Sequence, residues 1–80
     1  MGQGEGTTHI VAGARYRHYK GGMYEVVGVA RHSETEEVLV VYRALYGDRG
    51  LWVRPKKMFC EQVQKNGMSV PRFTRMESGE

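Results

Sequence analysis

The stretch Val38 to Pro55, VLVVYRALYGDRGLWVRP, leaves few folds open to this chain. Two apolar runs rich in β-branched and aromatic residues flank Gly47-Asp48-Arg49-Gly50, and a Gly-Asp-x-Gly segment supplies the positive-φ positions that a short hairpin connection needs. The stretch reads as a β-hairpin, and the segments before and after it read as partners for its two runs. Within the second run, alternation puts Trp52 and Arg54 on one face and Leu51 and Val53 on the other. The aliphatic pair is expected in the core, with Trp52 partly buried and its edge exposed beside Arg54.

Strand signals continue on both sides. In RYRHYKGGMYEVVGVARH, aromatic and β-branched residues surround Lys20-Gly21-Gly22, which predicts two strands joined by a glycine turn. Gly28 lacks a side chain to pack at mid-strand and marks a bulge or bend, the device by which a short sheet curls. The polar, acidic Ser33 to Glu37 segment reads as a hairpin loop. Pro55 cannot donate to a strand ladder but suits the start of a helical turn, one that carries Met58 and Phe59 to the core. Asn66-Gly67 between FCEQVQ and MSVPRF predicts a further hairpin, against a competing helix over Lys56 to Lys65, and Pro71 argues for an edge strand or a strand end. The expected fold is all-β: a small SH3-like barrel of about five or six short strands with one short helical turn, with an OB-like barrel as the alternative. Residues 1–14, Gly-rich and without aromatics, are expected to form a flexible arm, 15–73 the single barrel domain, and 74–80 a disordered tail.

Eighty residues support one domain with a small core. Cys60 is the only cysteine, so the chain closes no disulfide on itself and builds no thiolate zinc site; the residue reads as a small hydrophobe in a reducing cytoplasm. No apolar run approaches the length of a membrane span, and MGQGEGTTHIVAG lacks the basic and apolar regions of a secretory signal. Gly6 at the sixth position argues against myristoylation. A soluble, cytoplasmic protein without membrane contact is expected. The chain's net charge is +3, yet Arg15 to Phe73 holds eleven Lys or Arg against six Asp or Glu, so the expected domain is more basic than the whole. Eight of the twelve basic residues are arginine, whose planar fork suits phosphate and stacks on bases.

Tyr19-Lys20-Gly21-Gly22, Ala30-Arg31-His32-Ser33-Glu34-Thr35, Val41-Tyr42-Arg43, Leu45-Tyr46-Gly47-Asp48, Trp52-Val53-Arg54-Pro55 and Val70-Pro71-Arg72-Phe73 together match a known pattern. The chain resembles, over Tyr16 to Phe73, the bacterial DUF1653 family of small uncharacterised domains. The resemblance implies a stand-alone bacterial domain and supplies no mechanism.

No residue set spells out a reaction, and no cofactor is expected. His32 and Glu34 open a His-x-Glu motif, but the zinc deaminase signature also needs Pro-Cys-x-x-Cys downstream, and Cys60 follows Phe59 alone. Three histidines without ligand spacing make no metal site, and adjacent His32 and Ser33 point apart on a strand, which defeats a triad. Ser33 or Thr35 bonding to nearby backbone is the simpler role for this loop. The basic and aromatic residues are more suggestive. Arg31, His32, Arg43, Tyr46, Trp52, Arg54, Lys56 and Lys57 are the candidate ligand-binding set, with cations to neutralise phosphate and Trp52 or Tyr46 to stack a base. The expected function is a non-enzymatic binding module whose basic, aromatic face engages RNA or another phosphate-bearing ligand. The alternative is a protein or peptide interaction module of SH3-like type. Either is expected as a monomer or weak homodimer.

Overall fold

The structure, a computed structural model, describes residues 10–76. Seven strands and one helical turn follow in order: β1 (Arg15–His18), β2 (Met23–Arg31), β3 (Val38–Ala44), β4 (Leu51–Pro55), α1 (Lys56–Phe59), β5 (Gln62–Lys65), β6 (Met68–Pro71) and β7 (Phe73–Arg75). Five of them form one antiparallel sheet in the order β4-β3-β2-β1-β7, and β5 and β6 form a separate hairpin. The first four strands are thus a meander, and β7 returns to pair with β1. Among the described residues β4 and β7 share no ladder, so the sheet is not closed into a barrel by hydrogen bonds.

The turns follow from the residues that make them. Gly47 and Arg49 adopt positive φ of 60° and 57° in the longer β3–β4 connection, whereas Asn66 and Gly67 between β5 and β6 adopt 53° and 78°, the two consecutive positive values of a type I′ hairpin turn. Register shifts between Val26 and Gly28, leaving Val27 as the extra residue of a bulge that bends β2. Helix α1 is a single turn after Pro55, and the segment that competed as a longer helix returns to strand at Gln62.

The bent sheet has a concave side on which the core sits. Tyr16, Val26, Val40, Tyr42 and Phe73 from the sheet meet Phe59 from α1, and the Phe59 and Phe73 rings stack at 4.0 Å. Met58, expected beside Phe59, is exposed instead, because a single turn offers only one residue to the core. A further expectation is corrected here. Leu51 and Val53 are 57% and 58% exposed: the register places Trp52 opposite Tyr42 and Arg54 opposite Val40, so Trp52 and Arg54 share the concave side and the aliphatic pair faces outward. Residues flanking 15–73 make contact with the sheet. Gly13 N–H donates to Val26 O, Val26 N–H to Ala14 O and Met76 N–H to Arg15 O, while Ile10 and Ala14 pack against the core. The expected arm and tail otherwise fall on residues 1–9 and 77–80, outside the described residues. No helix among the described residues is long and apolar enough to cross a membrane.

Candidate anion and nucleic-acid interface

Arg54 is the residue at which the two edges of the sheet meet. It belongs to β4, yet its guanidinium carbon stands 5.8 Å from the ring centroid of Phe73 on β7, the strand at the opposite edge. Only a strongly curled sheet brings these together. Arg54 Nε donates to the Tyr42 hydroxyl at 3.2 Å, which holds the half-buried fork in place, and among the described residues no carboxylate pairs with it.

His18 lies beside this arginine. Alternation along β1 puts it on the same side as buried Tyr16, and its ring meets Tyr19 at 4.7 Å and Phe73 at 5.0 Å. The Lys20 backbone N–H donates to His18 Nδ1 at 3.1 Å, so in the neutral ring the proton sits on Nε2, a hydrogen-bond donor. Burial lowers the His18 pKa, and the charges of Arg54, Arg72 and Lys20 lower it further; the charges that act on this imidazole are all positive. Arg72 is partly committed, bonded through Nε to Met58 O at 3.0 Å and through Nη2 to Glu61 at 3.1 Å. Lys20 stands over the Tyr19 ring at 5.8 Å, and Lys65 Nζ donates to Tyr19 O at 3.1 Å. These side chains make a cationic cluster in which one acid, Glu61, offsets one of the arginines.

Aromatic surface adjoins the cluster. The Tyr24 ring packs edge-on against Tyr42, Phe73 and Tyr46, and its hydroxyl shares a hydrogen bond with that of Tyr46 at 2.5 Å. Burial and this bond push the Tyr24 pKa up to about 12, so the hydroxyl remains protonated. Tyr46 and Trp52 are both more than half exposed, Trp52 at 58%. Trp52 projects on the core side of β4 but lies at the edge strand, past the reach of α1 and β7 packing, which is why alternation alone does not bury it.

Of the eight residues singled out in the sequence, the structure brings Tyr46, Trp52 and Arg54 to the concave side. Arg43 lies on the opposite face, between Glu25 of β2 and Leu51 of β4. Arg31 ends β2 and pairs with Glu36 at 3.5 Å, both largely exposed. His32 is used by the loop that follows: its Nδ1 accepts the backbone N–H groups of Glu34 at 3.1 Å and Thr35 at 3.3 Å, and Thr35 Oγ1 accepts that of Glu37 at 3.1 Å. Lys56 and Lys57 belong to α1 and, with Glu37, Val38 and Cys60, line a separate cavity of about 390 Å³. Burial pushes the Cys60 thiol up, more than Lys56 draws it down, so it stays protonated and a poor nucleophile. No three His, Cys, Asp or Glu side chains converge among the described residues as a metal ligand set requires. His18, Lys20, Tyr24, Tyr42 and Arg72 were absent from the candidate set. The signal for His18 was its place two residues from Tyr16 on one strand; the others join through cross-strand register.

A mostly β domain of two antiparallel sheets, with an aromatic core and one helical turn, is the class these features define. The sequence profile of DUF1653, a family of proteins of unknown function, matches residues 14–75, and the chain belongs to that family. A crystal structure of a DUF1653 protein from Bordetella bronchiseptica is similar to it, with 38% sequence identity and a TM-score of 0.73, covering 85% of this chain and 88% of that one. No curated protein matches the chain.

Proposed function

We propose that this protein is a non-enzymatic binding module, a partly open SH3-like barrel that takes single-stranded RNA or another phosphate-bearing ligand on its concave side. The barrel reading draws on the four-strand meander, the bulge in β2, the helical turn after β4 and the return of β7 to β1. The observation that carries the functional reading is Arg54: a guanidinium held by Tyr42 and Phe73, beside His18 and Lys20, without a carboxylate partner among the described residues. A phosphate would accept from Arg54 and from Nε2 of His18, and the exposed rings of Trp52 and Tyr46 offer stacking surface to bases. The non-enzymatic reading is supported by the protonated Cys60 thiol and by the structural use of His32.

Trp52 is the chain's only tryptophan, so its fluorescence reports on this face alone. Titration with a short single-stranded RNA should quench it saturably, with affinity falling as salt rises. Absence of binding at low salt would end the proposal. Binding insensitive to salt would remove its electrostatic basis and favour the peptide alternative.

A further inference from the structure

We infer that β4 is a dimerisation edge at which two copies of this chain pair antiparallel about a two-fold axis through Val53. Ala44 N–H donates to Gly50 O at 3.1 Å, which fixes the phase of the β3–β4 ladder: Gly50, Trp52 and Arg54 turn their backbone polar groups toward β3, and Leu51, Val53 and Pro55 turn theirs outward. Among the described residues nothing pairs with that outward edge. An unpaired edge carrying Leu51, Trp52 and Val53, each more than half exposed, is the kind of edge that natural sheets cover or blunt.

The occupant follows from the strand's own sequence. Centred on Val53, an antiparallel copy sets Val53 against Val53, Leu51 against Pro55 and Trp52 against Arg54, and the same contacts recur on the other side of the axis. The outward backbone groups of Val53 then exchange two hydrogen bonds, and each Leu51 N–H donates to the Pro55 carbonyl of the other copy. Pro55 lacks an N–H, so the Leu51 carbonyl opposite it finds no donor at either end, and the pairing rests on four hydrogen bonds, two at Val53 and one at each end. On the outer face the pairing covers apolar side chains with apolar side chains. On the concave face each tryptophan lies across from an arginine in the closer non-hydrogen-bonded geometry, against the arginine's aliphatic stem, while the guanidinium stays with Tyr42 and Phe73. An unrelated peptide has no such match built in. The product is a continuous ten-stranded sheet with the two concave faces side by side.

The pairing stands independently of the RNA reading, and the two respond oppositely to salt. Copies of a +3 chain repel, so salt should tighten the dimer, whereas it weakens RNA binding. Sedimentation equilibrium without nucleic acid tests it. The wild-type chain should show a concentration-dependent dimer at moderate salt. Val53→Lys, which opposes like charges at the axis while leaving the concave side unaltered, should weaken it at least about tenfold. In a Cys60→Ala background, Val53→Cys should cross-link through a short bismaleimide, whereas Leu51→Cys should not, its two copies lying roughly 14 Å apart along the strands. A monomer at all concentrations, a dimer unaffected by Val53→Lys, or equal cross-linking of the two cysteine variants would overturn the inference.

Discussion

Arg54 and Arg43 stand on neighbouring strands of one hairpin, both half-buried, and a basic-residue count treats them alike. Their surroundings differ in kind. Arg54 lies on the concave side among Tyr42, Phe73 and His18, with no acid paired to it among the described residues; Arg43 lies on the outer face with Glu25 directly across on β2. One residue of phase on a strand decides between a cation set among aromatic rings and a cation facing an acid. The comparison teaches that basic composition locates no site in a curled sheet. The face does, because only the concave face gathers cations from strands far apart in sequence.

The largest expected effect tests whether the two faces differ energetically. Phe59→Ala removes the ring that α1 places in the core, 1% exposed, and should cost about 3–5 kcal/mol, a large part of the roughly 4–12 kcal/mol available to a chain of this length. Leu51→Ala on the outer face, in dilute protein, should stay within about 0.5 kcal/mol. Chemical denaturation checks both, and similar losses at the two positions would erase the distinction between the faces. Next come the arginines themselves. Arg54→Ala should weaken RNA binding about tenfold or more and flatten the salt dependence by about 0.7 in log–log slope, the loss of one phosphate contact on a single strand. Arg43→Ala should leave affinity within about twofold, the residual effect of a screened charge. Equal losses would mean that the ligand does not choose the concave side.

Much of the fold was legible because it rests on local chemistry. Asn66-Gly67 and Gly47 carry their turn conformations in their residue types, although the second left-handed position of the β3–β4 turn falls on Arg49 rather than on Gly50, Gly28 marks the bulge, and Pro55 starts the helical turn. Which face of β4 turns inward was not legible. Leu51 and Val53 are more apolar than Arg54, and hydropathy alone puts them inside; the ladder to β3, where Tyr42 and Val40 are buried, puts Trp52 and Arg54 on the core side instead. The approach of Arg54 to Phe73, nineteen positions later, depends on the curl of the whole sheet and leaves no mark in local pattern. Tyr46, Trp52 and Arg54 were therefore found by residue type, whereas His18, Lys20 and Arg72 required the folded sheet.

A smaller effect sharpens the comparison through pH. The folded state holds His18 below its ordinary pKa of 6.5, so as pH falls through that value toward the lowered one, the unfolded chain takes up a proton that the folded chain resists, and stability declines. An anion bound beside Arg54 reverses this, because it favours the charged imidazole. RNA affinity should therefore rise a few-fold, on the order of 2–5-fold, between pH 7.5 and pH 5.5, with proton uptake on binding. His18→Ala should abolish the rise. A pH profile unchanged by that substitution would separate His18 from the site, while the Arg54 result would stand on its own.

Trp52 carries a small expected effect on stability and the most direct statement about the edge of the concave side. It shares that side with Tyr42, which is buried, yet stays 58% exposed because β4 is the last strand of its sheet and nothing among the described residues packs beyond it. Truncation therefore removes a ring that makes contacts on one flank only. Trp52→Ala should cost about 0.5–1 kcal/mol in dilute protein, far from the roughly 3–5 kcal/mol of a core aromatic. Tryptophan emission in the wild-type chain should lie near that of a solvent-exposed indole and should shift to the blue when the ring is covered. A loss near that of Phe59→Ala, or an emission already blue-shifted in free monomer, would show that the ring is packed inside. The concave side would then end at Arg54, and no aromatic of β4 would remain to stack a base.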